Sequence, residues 1–317
     1  MESSTYLDKS HCHGRIVLPP ISVKDGNIMG IPLIHPKLLK SPNGITEGYS
    51  LEVTAGDVAA LADVASKIRP AVPILIPYLP GETNNARVAA ARAVHDLGFK
   101  PMLHFAARRI VSFRELEDFL TRAVSEAGIE LCLIVAGDPP SPAGPFSDSA
   151  SLIATGIFER SGIKVIGVGA HPEGHPDMSE AQCWSVLEAK CRSIEDRGMS
   201  PLIVTQFAFD ADAILSWLET LRARGLEYPV RIGVPGPAGV ATLLRFAARC
   251  GVEASASMLA KYGISIGRFL GTAGPDRFVD RMAIGLNEKH GAVRLHFHPF
   301  GGISRTVDWI ERYAARS

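Results

Sequence analysis

Eight short apolar runs, separated by longer stretches with helical spacing, constrain the fold of this chain more tightly than any other feature of its sequence. The runs are Tyr49–Thr54, Pro73–Tyr78, Pro101–Ala106, Glu130–Ala136, Lys164–Ala170, Pro201–Gln206, Val230–Pro235 and Arg294–Phe300. Each is short, rich in β-branched or aromatic residues and mostly apolar on both faces, as a strand buried in a parallel sheet must be. Between them, stretches such as Asp57–Arg69, Asn84–Leu97 and Phe113–Ala127 repeat apolar residues at three- and four-residue spacing. Several of these close on glycine, at Gly98, Gly128, Gly198 and Gly225, which fits the left-handed residue that ends a helix. Successive runs start about 24–37 residues apart, one strand–helix unit. The last interval is longer, and residues 237–290 hold more than one predicted helix, including Ala254–Phe269 and Pro275–Lys289. Eight strands each followed by a helix is the count of an α/β (β/α)8 TIM barrel. The alternative is an open doubly wound sheet, but no Gly-x-Gly-x-x-Gly follows any run. The expected organisation is an N-terminal extension, residues 1–47, followed by one catalytic barrel over residues 48–317.

Composition excludes several function classes. Hydrophobic residues make up 46% and charged residues 21%, ordinary for a packed chain and wrong for a disordered one. Lys plus Arg and Asp plus Glu both number 33, so no charge excess offers a footprint for nucleic acid or an anionic membrane surface. No run approaches the ~18 apolar residues of a membrane helix. The first thirty residues lack the basic-then-apolar order of a secretory signal. Cys12, Cys132, Cys183, Cys191 and Cys250 are odd in number and scattered, which suits reduced thiols better than a disulfide framework. The expectation is a soluble cytoplasmic protein with no nucleic-acid or membrane partner; the oligomeric state is left open, a homo-oligomer included.

Barrel enzymes build their sites at the carboxyl ends of the strands, and here those ends collect polar groups. They carry Glu52, His104, Asp138, His171, His175, Gln206 and His298. Glu52 lies inside the apolar run Leu51-Glu52-Val53, where a buried carboxylate is either paired or an acid with a raised pKa. Asp138 in Gly137-Asp138-Pro139-Pro140 either works at the mouth or starts a turn. Gln206 ends a buried strand, so its amide needs a ligand or loop backbone as partner. His171 and His175 stand four apart like a metal pair, but the flanking prolines exclude the helix that makes that spacing specific, so no metal site is expected. His11-Cys12-His13 reads as a chance cluster in a tail.

In order along the chain, these segments resemble the methylenetetrahydrofolate reductase family. The resemblance rests on Ser50-Leu51-Glu52-Val53, Gly137-Asp138-Pro139-Pro140, Pro172-Glu173-Gly174-His175-Pro176 and Thr205-Gln206-Phe207-Ala208-Phe209-Asp210. Phe246 and His296-Phe297 fit as well, and the likeness runs from about residue 48 to the end. It implies a barrel that holds FAD at its mouth and uses NAD(P)H to convert 5,10-methylenetetrahydrofolate into 5-methyltetrahydrofolate. It implies Glu52 as the acid that protonates the departing folate nitrogen and Asp138 as the carboxylate between flavin and pterin. Gln206 would bind the pterin and Phe246 the aminobenzoyl ring. The cofactor would lie against His104, Gly137, Asp138, His171 and His175.

Departures from the pattern fall on the flavin side. Ala136 replaces the arginine of Arg-Gly-Asp, His171 a tyrosine and Pro77 a threonine, while Trp184 and Leu187 fall where Asp and Asn are expected. The basic pair beyond them thins to Lys190 and Arg192. Strand two reads Tyr78-Leu79-Pro80-Gly81 in place of a Gly-rich Thr-Tyr-Gly pattern. After the last strand, His298-Pro299-Phe300-Gly301-Gly302 stands for an aromatic-Thr-Leu-Asn pattern. The resulting expectation is a folate-dependent oxidoreductase that binds flavin weakly, differently or not at all, with direct hydride transfer from a nicotinamide as the substitute. Two alternatives stand beside it. One is a metal-dependent barrel hydrolase, whose His-x-His at the first strand end is missing; the other is a non-catalytic folate-binding barrel, against which the retained Glu52 argues.

Overall fold

A computed structural model describes residues 27–28, 31–32, 42–252, 259–260, 262–263 and 272–316. Eight parallel strands close into a barrel: β1 (Ser50–Glu52), β2 (Pro73–Ile76), β3 (Lys100–Ala106), β4 (Leu131–Val135), β5 (Val165–Ala170), β6 (Ser200–Phe207), β7 (Val230–Pro235) and β8 (Val293–His298). Closure comes from β8 pairing with β1, with His296 opposite Ser50 and Phe297 opposite Leu51. All eight runs of the sequence become strands, with ends moved by a residue or two. The long helices are α1 (Val58–Val64), α2 (Asn84–Asp96), α3 (Phe113–Ala127), α4 (Glu180–Glu195), α5 (Ala211–Ala223), α6 (Val240–Arg249), α7 (Asp276–Gly285) and α8 (Ile303–Ala314). Two short helices, Ser149–Ile153 and Ile157–Arg160, follow β4 in place of one long one. Most of the expected extension over residues 1–47, most of the helix expected over Ala254–Phe269, and the whole His11-Cys12-His13 cluster lie outside the described residues.

The helices start where side chains can satisfy their first backbone N–H groups. Thr83, Ser112, Ser179 and Asp210 accept from the first turns of α2, α3, α4 and α5, contacts worth about 1 kcal/mol each. The four predicted closing glycines all adopt positive φ, from 61° at Gly128 to 84° at Gly98.

Alternation along the strands sorts the core into two layers. Outward residues such as Ile74, Leu103, Phe105, Ile134, Val168 and Ile232 pack under the helices. Inward residues Leu75, Met102, Leu131, Leu133, Val165, Leu202 and Val204 fill the barrel itself. That apolar plug comes from β2 to β6. The facing strands β7, β8 and β1 carry Arg231, Arg294, His296, His298, Ser50 and Glu52 at the alternating positions. One side of the interior is therefore hydrocarbon and the other is polar, and the polar side opens at the carboxyl ends of the strands.

One irregularity bears on the site. The β6–β7 ladder pairs Val204 with Arg231 but Phe207 with Gly233, so β6 carries one extra residue. This is a bulge. The Gly233 N–H donates to Thr205 Oγ1 at 2.9 Å. A Cβ at Gly233 would stand 2.6 Å from Phe207 N, so only glycine lets the bulged strand approach this closely.

Candidate active site at the carboxyl end of the barrel

Glu52 ends β1 with its side chain 23% exposed, at the floor of the mouth. His298 Nδ1 lies 3.5 Å from Oε1 and His296 Nε2 lies 3.9 Å from Oε2. Both rings come from β8 because residues two apart on a strand face the same way. Ser50 Oγ lies 3.0 Å from His296 Nδ1 and fixes that ring from below. Among the described residues, these two histidines are the charge partners at ion-pair distance from Glu52.

The electrostatics bear on the two readings that the sequence left open for Glu52. Burial pushes the Glu52 carboxyl up, but His298, His296 and, more distantly, His104 outweigh it and hold the pKa well below the ordinary carboxylate range. Glu52 is therefore the paired carboxylate of those two readings, ionised rather than held as an acid with a raised pKa. Burial lowers His296 to about 4 against a partial opposing pull from Glu52, and lowers His104 likewise to about 4. At neutral pH the floor is a carboxylate flanked by neutral His296 and His104.

Aromatic rings form one wall of the mouth. Phe246 on α6 stacks on Phe300 at 4.1 Å between ring centres and 10° between planes. Phe300 in turn stacks on His298 at 5.5 Å, and Phe207 meets both His298 and Phe300 edge-on. The Gly301-Gly302 pair makes this wall: a Cβ at Gly301 would fall 2.0 Å from Pro237 O, so the β8 loop can press against the β7 loop. The ladder Phe246–Phe300–His298 thus ends at Glu52. Sequence reasoning named Phe246 and His298 separately; Phe300 had no signal beyond its place after β8.

The remaining sequence candidates occupy the rim. Gln206 follows from the bulge, half-buried, with Oε1 accepting the Phe207 N–H at 3.1 Å. It lines a small recess with His171, Glu173 and Cys250. Glu173 Oε1 accepts the Asp210 N–H at 3.0 Å, which ties the Pro-Glu-Gly-His-Pro loop to the end of the Thr-Gln-Phe segment. His171 and His175 pack edge to face at 4.7 Å, and His175 Nδ1 accepts the Asp177 N–H at 3.1 Å. They are a packed pair with one ring nitrogen committed to backbone. Burial, with His175 and Lys190 nearby, lowers His171 to about 4. Gly137 turns the chain at φ 92°, and Asp138 after it is 84% exposed with Arg109 at 3.5 Å. Asp138 and Glu52 are not brought into contact.

His104 Nε2 is buried without a hydrogen-bond partner among the described residues. Its carbonyl accepts from Arg87, a buried α2 residue that sequence reasoning missed. The Arg87 guanidinium lies over the rings of Tyr78 and Phe119 at 5.4 and 5.0 Å. Burial pushes its pKa down to about 10. Arg87 shares its helix with Arg92 among small residues, and the sequence gives no sign that one of them has such a role.

The cations near strands three to five are already engaged. Arg108 donates to Ser147 O at 2.7 Å and Pro139 O at 3.3 Å; Arg109 covers the Tyr78 ring at 4.8 Å beside Asp138; Lys190 reaches Gly169 O at 3.4 Å. Trp184 and Leu187 are 4% and 3% exposed. Trp184 stacks on Trp217 at 5.5 Å. Positions at which the family resemblance expects polar groups thus face the helix layer.

Comparison with known proteins now decides the family. A sequence model described as methylenetetrahydrofolate reductase matches residues 76–266. The chain belongs to the methylenetetrahydrofolate reductase family. The match covers Gly137-Asp138, His171, His175, Gln206 and Phe246, while Glu52 and β8 lie outside it. Methylenetetrahydrofolate reductase 2 of Saccharomyces cerevisiae is 28% identical over 169 residues, 51% of this chain and 27% of the relative. Methylenetetrahydrofolate reductase (NADH) 1 of Arabidopsis thaliana is 26% identical over 187 residues, 54% of this chain and 31% of the relative. The chain therefore spans about a quarter to a third of these reductases. Among solved structures, an uncharacterized protein from Clostridium thermocellum, described as binding two copies of 5-methyl-5,6,7,8-tetrahydrofolic acid, superposes with a TM-score of 0.55. It is 12% identical and covers 85% of this chain and 94% of its own, a likeness of fold. No helix among the described residues is long and apolar enough to cross a membrane.

Proposed function

We propose that this family member interconverts 5,10-methylenetetrahydrofolate and 5-methyltetrahydrofolate with a nicotinamide cofactor. The observation that carries the reading is the aromatic ladder Phe246–Phe300–His298 ending 3.5 Å from the Glu52 carboxylate. A folate is a flat pterin joined to a flat aminobenzoyl group, and its reaction needs one proton moved at the nitrogen between them. Rings along one wall suit the flat groups. The Gln206 amide, with two donor hydrogens on Nε2, suits the edge of a pterin. The folate-binding fold neighbour supports the same ligand class.

In the reductive direction, the imidazolidine ring opens as its N10 takes a proton, and hydride adds to the one-carbon unit. Glu52 is the group placed to give that proton, but as an anion it must first acquire one. In the oxidative direction, the carboxylate as held here takes the N10 proton while hydride leaves the methyl group. The ionised form favours the second step, and the first draws its proton from solvent or from the flanking imidazoles.

FAD is the cofactor that family membership brings. The cations at strands three to five are committed to carbonyls, an aspartate and a ring, and Trp184 and Leu187 are buried, so these residues do not fit a flavin pyrophosphate. The reading therefore routes no step through flavin: hydride passes between the nicotinamide and the folate directly. His104, Gly137, Asp138, His171 and His175 are the strand ends against which we place the nicotinamide cofactor. A cytoplasmic setting suits the free Cys132, Cys183, Cys191 and Cys250.

The test is anaerobic turnover of NADH or NADPH with methylenetetrahydrofolate, and of the oxidised cofactor with the methyl form, beside calorimetry with each folate. Turnover in either direction supports the reading. Absence of turnover together with no heat at millimolar folate overturns it.

A further inference from the structure

Three side chains at the mouth converge in a way that proton chemistry alone does not require. Glu52, His296 and His298 each present one nitrogen or oxygen within 4.8 Å of the others. The Glu52 carboxylate lies 3.5 Å from His298 Nδ1 and 3.9 Å from His296 Nε2, longer than ordinary hydrogen bonds. Donors bound to one tetrahedral zinc at about 2.0–2.1 Å lie roughly 3.4 Å apart. The 3.5 Å separation is close to that of two donors on one such ion, and the 3.9 Å separation is somewhat wider. His298 is only 9% exposed, and its Nε2 has no hydrogen-bond partner among the described residues.

From this geometry we infer that Glu52, His296 and His298 form a binding site for a first-row divalent ion of borderline softness, such as Zn2+. Two imidazoles and one carboxylate are a donor set that such ions take with a position left open. Here the open side is the barrel mouth, toward which Glu52 is partly exposed. The support behind the site also fits. A ligating imidazole ordinarily donates its second N–H to a neighbouring acceptor, which fixes the tautomer. Ser50 Oγ, 3.0 Å from His296 Nδ1, is placed to accept that N–H when Nε2 ligates an ion.

In the sequence, prolines argue against a metal pair at His171 and His175, and the first strand end lacks the His-x-His of a barrel hydrolase; the His-x-His of this site is His296-Phe297-His298. It lies on the last strand, which neighbours the first once the barrel closes. The site goes beyond the folate reading and uses the same groups, so an ion bound there and proton transfer by Glu52 exclude each other.

The test uses the full chain, stripped with a chelator and titrated with Co2+ or Zn2+ alone, with no folate or nicotinamide present. The expected result is one ion per chain and visible ligand-field absorption from the Co2+ form. Glu52→Gln and His298→Phe should each weaken binding by at least tenfold. Ser50→Ala, which removes the support and no ligand, should weaken it by about 10–100-fold. The double variant His11→Ala/His13→Ala should bind as wild type does. X-ray absorption of the wild-type zinc form needs no variant and should show nitrogen and oxygen neighbours with no sulfur. Absence of binding at millimolar ion, sulfur ligation, or binding lost only in the tail variant would overturn the site. Because binding is read without turnover, its failure leaves the folate reading intact, and failed turnover leaves the site intact.

Discussion

Replacing Gly233 with alanine tests whether the β6 bulge positions Gln206. A Cβ there would stand 2.6 Å from Phe207 N, 2.7 Å from Phe207 Cα and 2.8 Å from Gln206 C. All three are backbone atoms of a central strand, so no side chain can swing aside. Overpacking of this kind costs about 1–3 kcal/mol. The Gly233 N–H to Thr205 Oγ1 bond, 2.9 Å and buried, would be strained in addition, for about 0.5–1.5 kcal/mol. Alanine narrows the unfolded ensemble and returns about 0.4–1 kcal/mol. The expected net loss is roughly 2–3 kcal/mol. Urea denaturation followed by circular dichroism reads it, and calorimetry with 5-methyltetrahydrofolate reads the displacement of Gln206 as weakened binding. Gly169→Ala is the control, since a Cβ there meets nothing within 4 Å; it should stay within about 0.5 kcal/mol of wild type. If Gly233→Ala proved as harmless as the control, the bulge would not depend on glycine and the account of Gln206 would fall.

Glu52→Gln keeps the shape and removes the proton site, so folate turnover should fall by roughly 10²–10⁴-fold with folate binding within a few-fold; near-normal turnover would remove Glu52 from the acid–base role. Stability should fall as pH drops from 6.5 toward 4, because buried His104 and His296 protonate near 4 in the folded chain and near 6.5 in the unfolded one. Each contributes up to ~3 kcal/mol across that window, and Glu52, depressed when folded, adds its loss below its unfolded value of 4.5. Denaturation midpoints at pH 7 and pH 5 check the sign, and equal midpoints would refute it. Purified protein should show no visible flavin absorption after gel filtration; stoichiometric FAD would mean that Ala136, His171, Pro77, Trp184 and Leu187 replace nothing essential.

The barrel was legible in the sequence because its signals are local. Strand and helix periods, the closing glycines at Gly98 and Gly128, and the order of the strand-end segments each fit within a few residues. Alternation even showed that Glu52 lies in a buried strand. The charge on Glu52 was not legible, since it depends on His296 and His298, more than two hundred positions away and adjacent only when β8 pairs with β1. The His-x-His pair could have been flagged as two residues on one strand face, but its carboxylate partner required barrel closure. Likewise the exposure of Asp138, the burial of Trp184 against Trp217, the use of Arg87 behind His104 and the extra residue before Gln206 depend on which elements meet. Periodicity fixes which face of a strand or helix is apolar. Only the packed barrel determines which polar groups share a few ångströms of low-dielectric space, and there electrostatic energies are large enough to set a protonation state.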